Sequence, residues 1–192
     1  MITAALVATF SMLSTDVVVH VYNEASIGHE ALRDAILVAS GTLRKAGLGM
    51  KWVDCHRAEA SACAADPLRV SFDIRIERRG KIAETASGRH MSMGRSLVIP
   101  GTVSSNAKIF FERVRQFAEA VDVPATAVLG FAIAHEIGHL VQGSSTHSHA
   151  GVMKAEWDHA DRHRISGGHL GFLNDEIRLM RANLAKARAS QR

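Results

Sequence analysis

The chain has 192 residues, 47% of them hydrophobic and 22% charged, which suits one globular domain with a well-filled core. Its formal net charge of +4 is mild and scattered, and aromatic residues make up only 5%. A nucleic-acid-binding protein needs a concentrated basic face with interleaved aromatics, so that class is set aside.

Residues 2–13 form an apolar run with many small side chains, too short to span a bilayer. The run resembles the apolar centre of a secretory signal peptide, although no Lys or Arg precedes it. The alternative is an apolar N-terminal segment of the core. Residues 1–15 are therefore set apart from a domain over 16–192, and no stable membrane span is expected in the mature chain.

Residues 16–22 are a β-branched run typical of a buried strand. His20 within it is read as a satisfied strand histidine. A helix follows over 26–47, with Leu32, Ile36, Ala39 and Leu43 at helical spacing, Ser26 as N-cap and Gly47 as C-cap. A second strand over 50–54 makes a strand–helix–strand unit, which predicts a right-handed crossover and parallel pairing. Cys55 and Cys63 then bracket an alanine-rich loop and read as one disulfide in an exported protein; two free thiols in a cytosolic protein are the alternative. A cysteine zinc site is disfavoured because no second cysteine pair accompanies them. Export to the periplasm or the outside of the cell is the location these features point to, with the cytoplasm as the alternative.

Residues 68–78 alternate, with Val70, Phe72, Ile74 and Ile76 on one face and Ser71, Asp73, Arg75 and Glu77 on the other, so a half-exposed strand turning at Gly80 is expected. Residues 86–93 read as loop and give His90 no role. Residues 96–99 are a strand candidate ended by Pro100 and Gly101, and 108–121 a helix, although Ile109, Phe110 and Phe111 could begin as strand.

The most informative stretch is residues 132–140, which contains His135-Glu136-x-x-His139. Pro124 and Gly143 frame a helix around it. Four residues apart, the two histidines stack on one helix face and can share one Zn²⁺, while Glu136 projects to the side, where it can act on a metal-activated water. Leu129, Ile133, Ile137 and Leu140, with Val128, Phe131 and Ala132, make most of the helix surface apolar and predict burial. Two ordinary histidines are the bland alternative. Burying them beside a glutamate is costly, however, unless a metal and hydrogen bonds satisfy all three.

A catalytic zinc needs a third protein ligand and an open position. Downstream come Gly143, His147, His149 and Met153. This order of helical histidines, glycine turn, histidine and methionine resembles the metzincin clan of zinc metallopeptidases. The spacing departs from the clan's pattern: Gln142 and Ser145 stand where it has glycine and histidine, and Gly143 and His147 come one and two residues late. Residues 143–153 are more similar to a small group of bacterial predicted metzincin-type peptidases. That resemblance implies His147 as third ligand and Met153 as the Met-turn residue beneath the metal. His149 is the alternative third ligand, and Glu156 a further rival of the kind gluzincin sites use.

Past the motif, Trp157 is expected to pack near Met153, and His159, His163 and His169 to be solvated loop histidines. Asn174 is expected to cap a C-terminal helix with Ile177, Met180 and Leu184 as its apolar stripe. The whole is α+β: a single zincin-like domain with a small twisted mixed sheet, a backing helix, an active-site helix and a C-terminal helix. The resemblance implies zinc-dependent hydrolysis of peptide bonds in a peptide or protein substrate, with Glu136 as general base. A zinc-bound module without catalysis, or an inactive peptidase-like protein, is the alternative. The oxyanion role has no clear occupant: Tyr22 is the only tyrosine, and His149 is the nearest candidate. No oligomeric state is read from the sequence.

Overall fold

β1 (Val17–Asn23) is the strand on which the sheet is built. Val17, Val19 and Val21 are buried on one face, and Val18 and His20 on the other. Such a run is what a strand with a parallel neighbour on each side requires. Those neighbours are β2 (Lys51–Asp54), which sets Trp52 opposite Val19, and β3 (Val70–Glu77), which sets Phe72 opposite Val19. The computed structural model describes residues 17–64, 66, 68–79 and 92–191. The apolar N-terminal run, the turn at Gly80 and His90 lie outside the described residues.

α1 (His29–Lys45) joins β1 to β2 and buries Leu32, Ala35, Ala39 and Leu43. Ser26 does not cap it: its φ is 55°, and Gly28 holds the N-cap position. Asn23 shapes the entry instead, donating from Nδ2 to Ile27 O at 2.8 Å and accepting from Ile27 N at 2.9 Å. At the other end Ala46 is the C-cap, and Gly47, read as the cap, follows it with φ 80° and reverses the chain. β3 alternates as the sequence requires, and His20 Nδ1 lies 3.0 Å from Asp73 Oδ1 across the β1–β3 pair.

Two expectations are corrected between residues 94 and 121. The strand read over 96–99 is β4 (Gly94–Ser96), antiparallel to β5 (Asn106–Phe110). Leu97 N still donates to Asn106 O at 2.9 Å, but Ile99 N turns to Ser104 Oγ at 2.8 Å and the ladder ends. The helix read from residue 108 begins later, as α2 (Phe111–Val121), because Lys108, Ile109 and Phe110 belong to β5. Ile109 there pairs with Ile76 on one side and Gly94 on the other, a place that suits a β-branched side chain. The sheet order is β2-β1-β3-β5-β4, four parallel strands with an antiparallel edge.

α3 (Ala125–Gln142) runs through the core, with Leu129, Phe131, Ile133, Ile137 and Leu140 fully buried. It packs against α1 where Gly130 leaves room: a Cβ there would stand 2.5 Å from Ala35 O. Gly143 closes the helix with φ 61°, and Asn183 Nδ2 bonds Val141 O and Gln142 O, each at 3.1 Å, satisfying carbonyls the helix end leaves open.

Asn183 belongs to α5 (Asn174–Ala189). Asn174 is the first residue of α5 rather than its cap; Leu173 holds that position, its N–H bonded to Glu176 Oε2 at 2.6 Å. A short α4 (Arg162–Ser166) lies in the stretch read as loop, entered through Asp158, whose Oδ1 accepts from Ala160 N at 2.8 Å. Cys55 and Cys63 form a disulfide with Cα atoms 5.8 Å apart. The architecture is α+β with a mixed sheet. Among the described residues no helix is long and apolar enough to cross a membrane.

Candidate metal centre

α3 brings His135 and His139 one turn apart onto the face that looks into a cleft of about 1070 Å³. Burying two imidazoles requires their nitrogens to be partnered. His135 Nδ1 lies 2.7 Å from Val152 O, and His139 Nδ1 lies 2.8 Å from Ser144 O. A carbonyl only accepts, so each Nδ1 carries the proton, and in the neutral ring the lone pair is left on Nε2.

Those two Nε2 atoms are 3.0 Å apart, and His147 Nε2 is 3.3 Å from His139 Nε2. The three donor atoms all lie within 4.8 Å of one another. Lone pairs gathered so closely repel unless a cation lies among them. Two nitrogen ligands 2.0–2.1 Å from a tetrahedral zinc stand about 3.3 Å apart, so the set has the dimensions of a zinc site. His149 is exposed and outside this converging group, and Glu156 lines the cleft but is also outside it.

The electrostatics favour neutral rings. Burial, with the His139 and His147 rings adding to it, pushes His135 down to about 3 despite the hydrogen bond to Val152. Burial likewise takes His139 down to about 4, and its buried portion lowers His147. Glu136 moves the other way. Burial pushes its carboxyl up to about 7, against the pull of the Ser96 hydroxyl, which donates to Oε2 at 2.5 Å. A carboxyl poised there can both take and give a proton near neutrality.

Three elements build the walls. β4 runs along one side, where Gly94, Arg95 and Ser96 line the cleft. α2 supplies Phe117 and Ala120. Beneath α3, Met153 is buried against Gly138, and Trp157 packs edge-on against Phe117, Phe131 and His135 with centroids 6.1–6.3 Å apart. His159, His163 and His169 are exposed and none lines the cleft. Tyr22 also lies away from it, under the Arg75 guanidinium at 4.3 Å. Sequence reasoning missed Ser96 and Gly94 as partners of Glu136. Ser96 stood at the start of the strand candidate, whereas Gly94 lay outside it beside the stretch read as loop, so their shared face was not legible.

No protein-family model matches this chain, and no curated protein sequence matches it. Solved structures do. A zinc-dependent peptidase from Methanocorpusculum labreanum superposes with a TM-score of 0.53 over 84% of this chain and 99% of its own, at 12% identity. The archaemetzincin of Methanopyrus kandleri gives 0.54 over 88% of this chain and 95% of its own, at 13% identity. The chain therefore shares its fold with these two solved structures.

Proposed function

We propose that the protein is a zinc-dependent peptidase. The observation that carries this is the convergence of three imidazole Nε2 atoms, two with their protons held on Nδ1 by carbonyls, beside the buried Glu136 carboxyl. The fold shared with a zinc-dependent peptidase and an archaemetzincin supports it. His135, His139 and His147 would hold the metal, and Val152 and Met153 form the turn beneath it. Zinc bound there supplies a Lewis acid that acidifies water and polarises a carbonyl. Glu136 accepts the proton of the attacking water and hands it to the departing amine. Ser96 holds the carboxylate in register for both transfers.

The peptide substrate adds as a strand beside β4, the antiparallel edge of the sheet, with side chains reaching the apolar wall of Phe117, Ala120 and Trp157. A closed structural site needs four protein ligands. His149 does not join the other three, which favours the catalytic reading over that alternative. We also propose export, with residues 1–15 as its signal; the Cys55–Cys63 disulfide supports an oxidising compartment.

The test is cleavage of a complex peptide mixture by the zinc-loaded protein beside Glu136→Ala. New termini that vanish in the variant at unchanged zinc content are expected. An intact mixture with both stoichiometrically loaded proteins would overturn the peptidase reading.

A further inference from the structure

The two helical imidazoles are each fixed by a carbonyl at Nδ1, but His147 Nδ1 has no hydrogen-bond partner among the described residues. His147 is exposed, so beyond its contacts with the His135 and His139 rings its placement rests on the loop that carries it. That loop is tied down one residue further on. Ser148 N donates to Met153 O at 2.9 Å, and Ser148 pairs with Lys154 in a short parallel bridge. Ser148 Oγ donates to Glu176 Oε1.

Glu176 is well placed as an anchor. It is only 7% exposed, and its second oxygen accepts from Leu173 N at 2.6 Å, so both carboxylate oxygens are engaged. Its helix, α5, is itself fixed to the core by Met180 and Leu184 and to the end of α3 by Asn183. A carboxylate held on a packed helix is a stiffer support than a solvated loop can provide for itself.

We propose that Glu176, acting through Ser148, is a positioning residue for the third imidazole, His147. The inference rests on the reading of the three histidines as zinc ligands. It assigns α5 a role at the site although none of its residues lines the cleft. Outer-shell partners of this kind are worth about 10- to 100-fold in metal affinity.

The experiment compares the full-length protein with Ser148→Ala, Ser148→Thr, Glu176→Ala and the Ser148→Ala/Glu176→Ala pair. It measures zinc affinity by chelator competition and the visible absorption of the cobalt(II) form. Ser148→Ala leaves the α5 cap intact, so its effect is free of helix capping. It is expected to weaken zinc by about 10- to 100-fold and to change the cobalt bands, while the metal-free protein stays folded and its melting temperature falls only by the loss of the Ser148–Glu176 hydrogen bond. Ser148→Thr, which keeps the hydroxyl, restores both. In the pair, Ser148→Ala adds little to Glu176→Ala, as residues in one network do. Unchanged zinc affinity and an unchanged cobalt spectrum in Ser148→Ala, with a wild type that binds one metal, would overturn this proposal alone. A wild type that binds no metal stoichiometrically would overturn both it and the zinc reading.

Discussion

A Cβ on Gly94 would stand 2.5 Å from Glu136 Oε1, so β4 and the motif glutamate share one space only because position 94 has no side chain. Ser96 Oγ meets the other carboxylate oxygen at 2.5 Å and also reaches Glu136 O at 3.0 Å. Residues two apart on a strand point to the same face. The edge strand thus grips the carboxyl from two places at once, and links the sheet register to the protonation of the residue proposed as general base.

Gly94→Ala is expected to disable catalysis without unfolding the protein. The added methyl must displace either the carboxylate or the strand, and a shift of about 1 Å in a catalytic group costs on the order of 100-fold in rate. The edge of the sheet can absorb the strand movement, so the melting temperature changes little. The comparison is kcat/KM on a peptide found in the mixture experiment, with circular dichroism melting alongside. An undiminished kcat/KM would show that Glu136 does not need the place it occupies.

The metal-free protein should respond to pH in two opposed ways. Glu136 has a folded pKa near 7, above its ordinary 4.5. Between those values the folded state keeps a proton that the unfolded state has released. Its stabilising contribution is present below 4.5, falls as pH rises through 7 and is absent above. The full effect is about 3 kcal/mol. His135 and His139, at about 3 and 4 against 6.5 unfolded, act with the opposite sign: stability falls as pH drops below 6.5. Metal-free Glu136→Gln should therefore out-melt metal-free wild type at about pH 8, and the advantage should fade by about pH 4. Parallel melting curves across that range would mean that burial is not what controls this carboxyl.

Removing the Cys55–Cys63 disulfide should lower stability and leave the site alone. The cysteines are 8 residues apart, so the closed loop is short, and the chain-entropy model gives about 2.5 kcal/mol at this length. No residue of the bridged loop lines the cleft. Cys55→Ser/Cys63→Ser is expected to unfold at lower denaturant concentration with zinc affinity retained. A parallel loss of zinc would tie the loop to the metal centre by a route the structure does not show.

The meeting of His135 and His139 was the most legible part of the chain, because a helix fixes the relation of residues four apart and the pair needed only that. Strand β3 was legible for the same reason, through its period of two. Errors fell where local pattern and tertiary pairing compete. Ile109 and Phe110 suit a helix face or a strand equally well, and only their pairing with Ile76 and Glu77 decides for β5. Ser26 looks like a cap by composition, yet Asn23 holds Ile27 from a turn earlier. The contacts of Glu136 with β4 and of Ser148 with α5 join residues 40 and 28 apart, and no local rule reaches that far.

Gly138 stands inside the motif, between Ile137 and His139, and gives the sharpest test of the floor beneath the site. A Cβ there would collide with Met153 Sδ and come 2.8 Å from Phe172 Cε1. On propensity alone, alanine in a helix gains about 0.5–1 kcal/mol over glycine. Overpacking a filled core costs about 1–3 kcal/mol, and Met153 is almost wholly buried, so the cost should win. The displaced Met153 is bonded to Val152, whose carbonyl orients His135 at 2.7 Å, so the disturbance reaches a proposed zinc ligand. Gly138→Ala is expected to destabilise the protein and to weaken zinc by about tenfold or more, the size of an outer-shell loss. Gly41→Ala is the control. It lies inside α1 with nothing within 4 Å of its added Cβ, and should gain stability with zinc affinity unchanged. If Gly138→Ala instead stabilises the protein as Gly41→Ala does, with zinc affinity held, then Met153 gives way freely and is no fixed floor to the site.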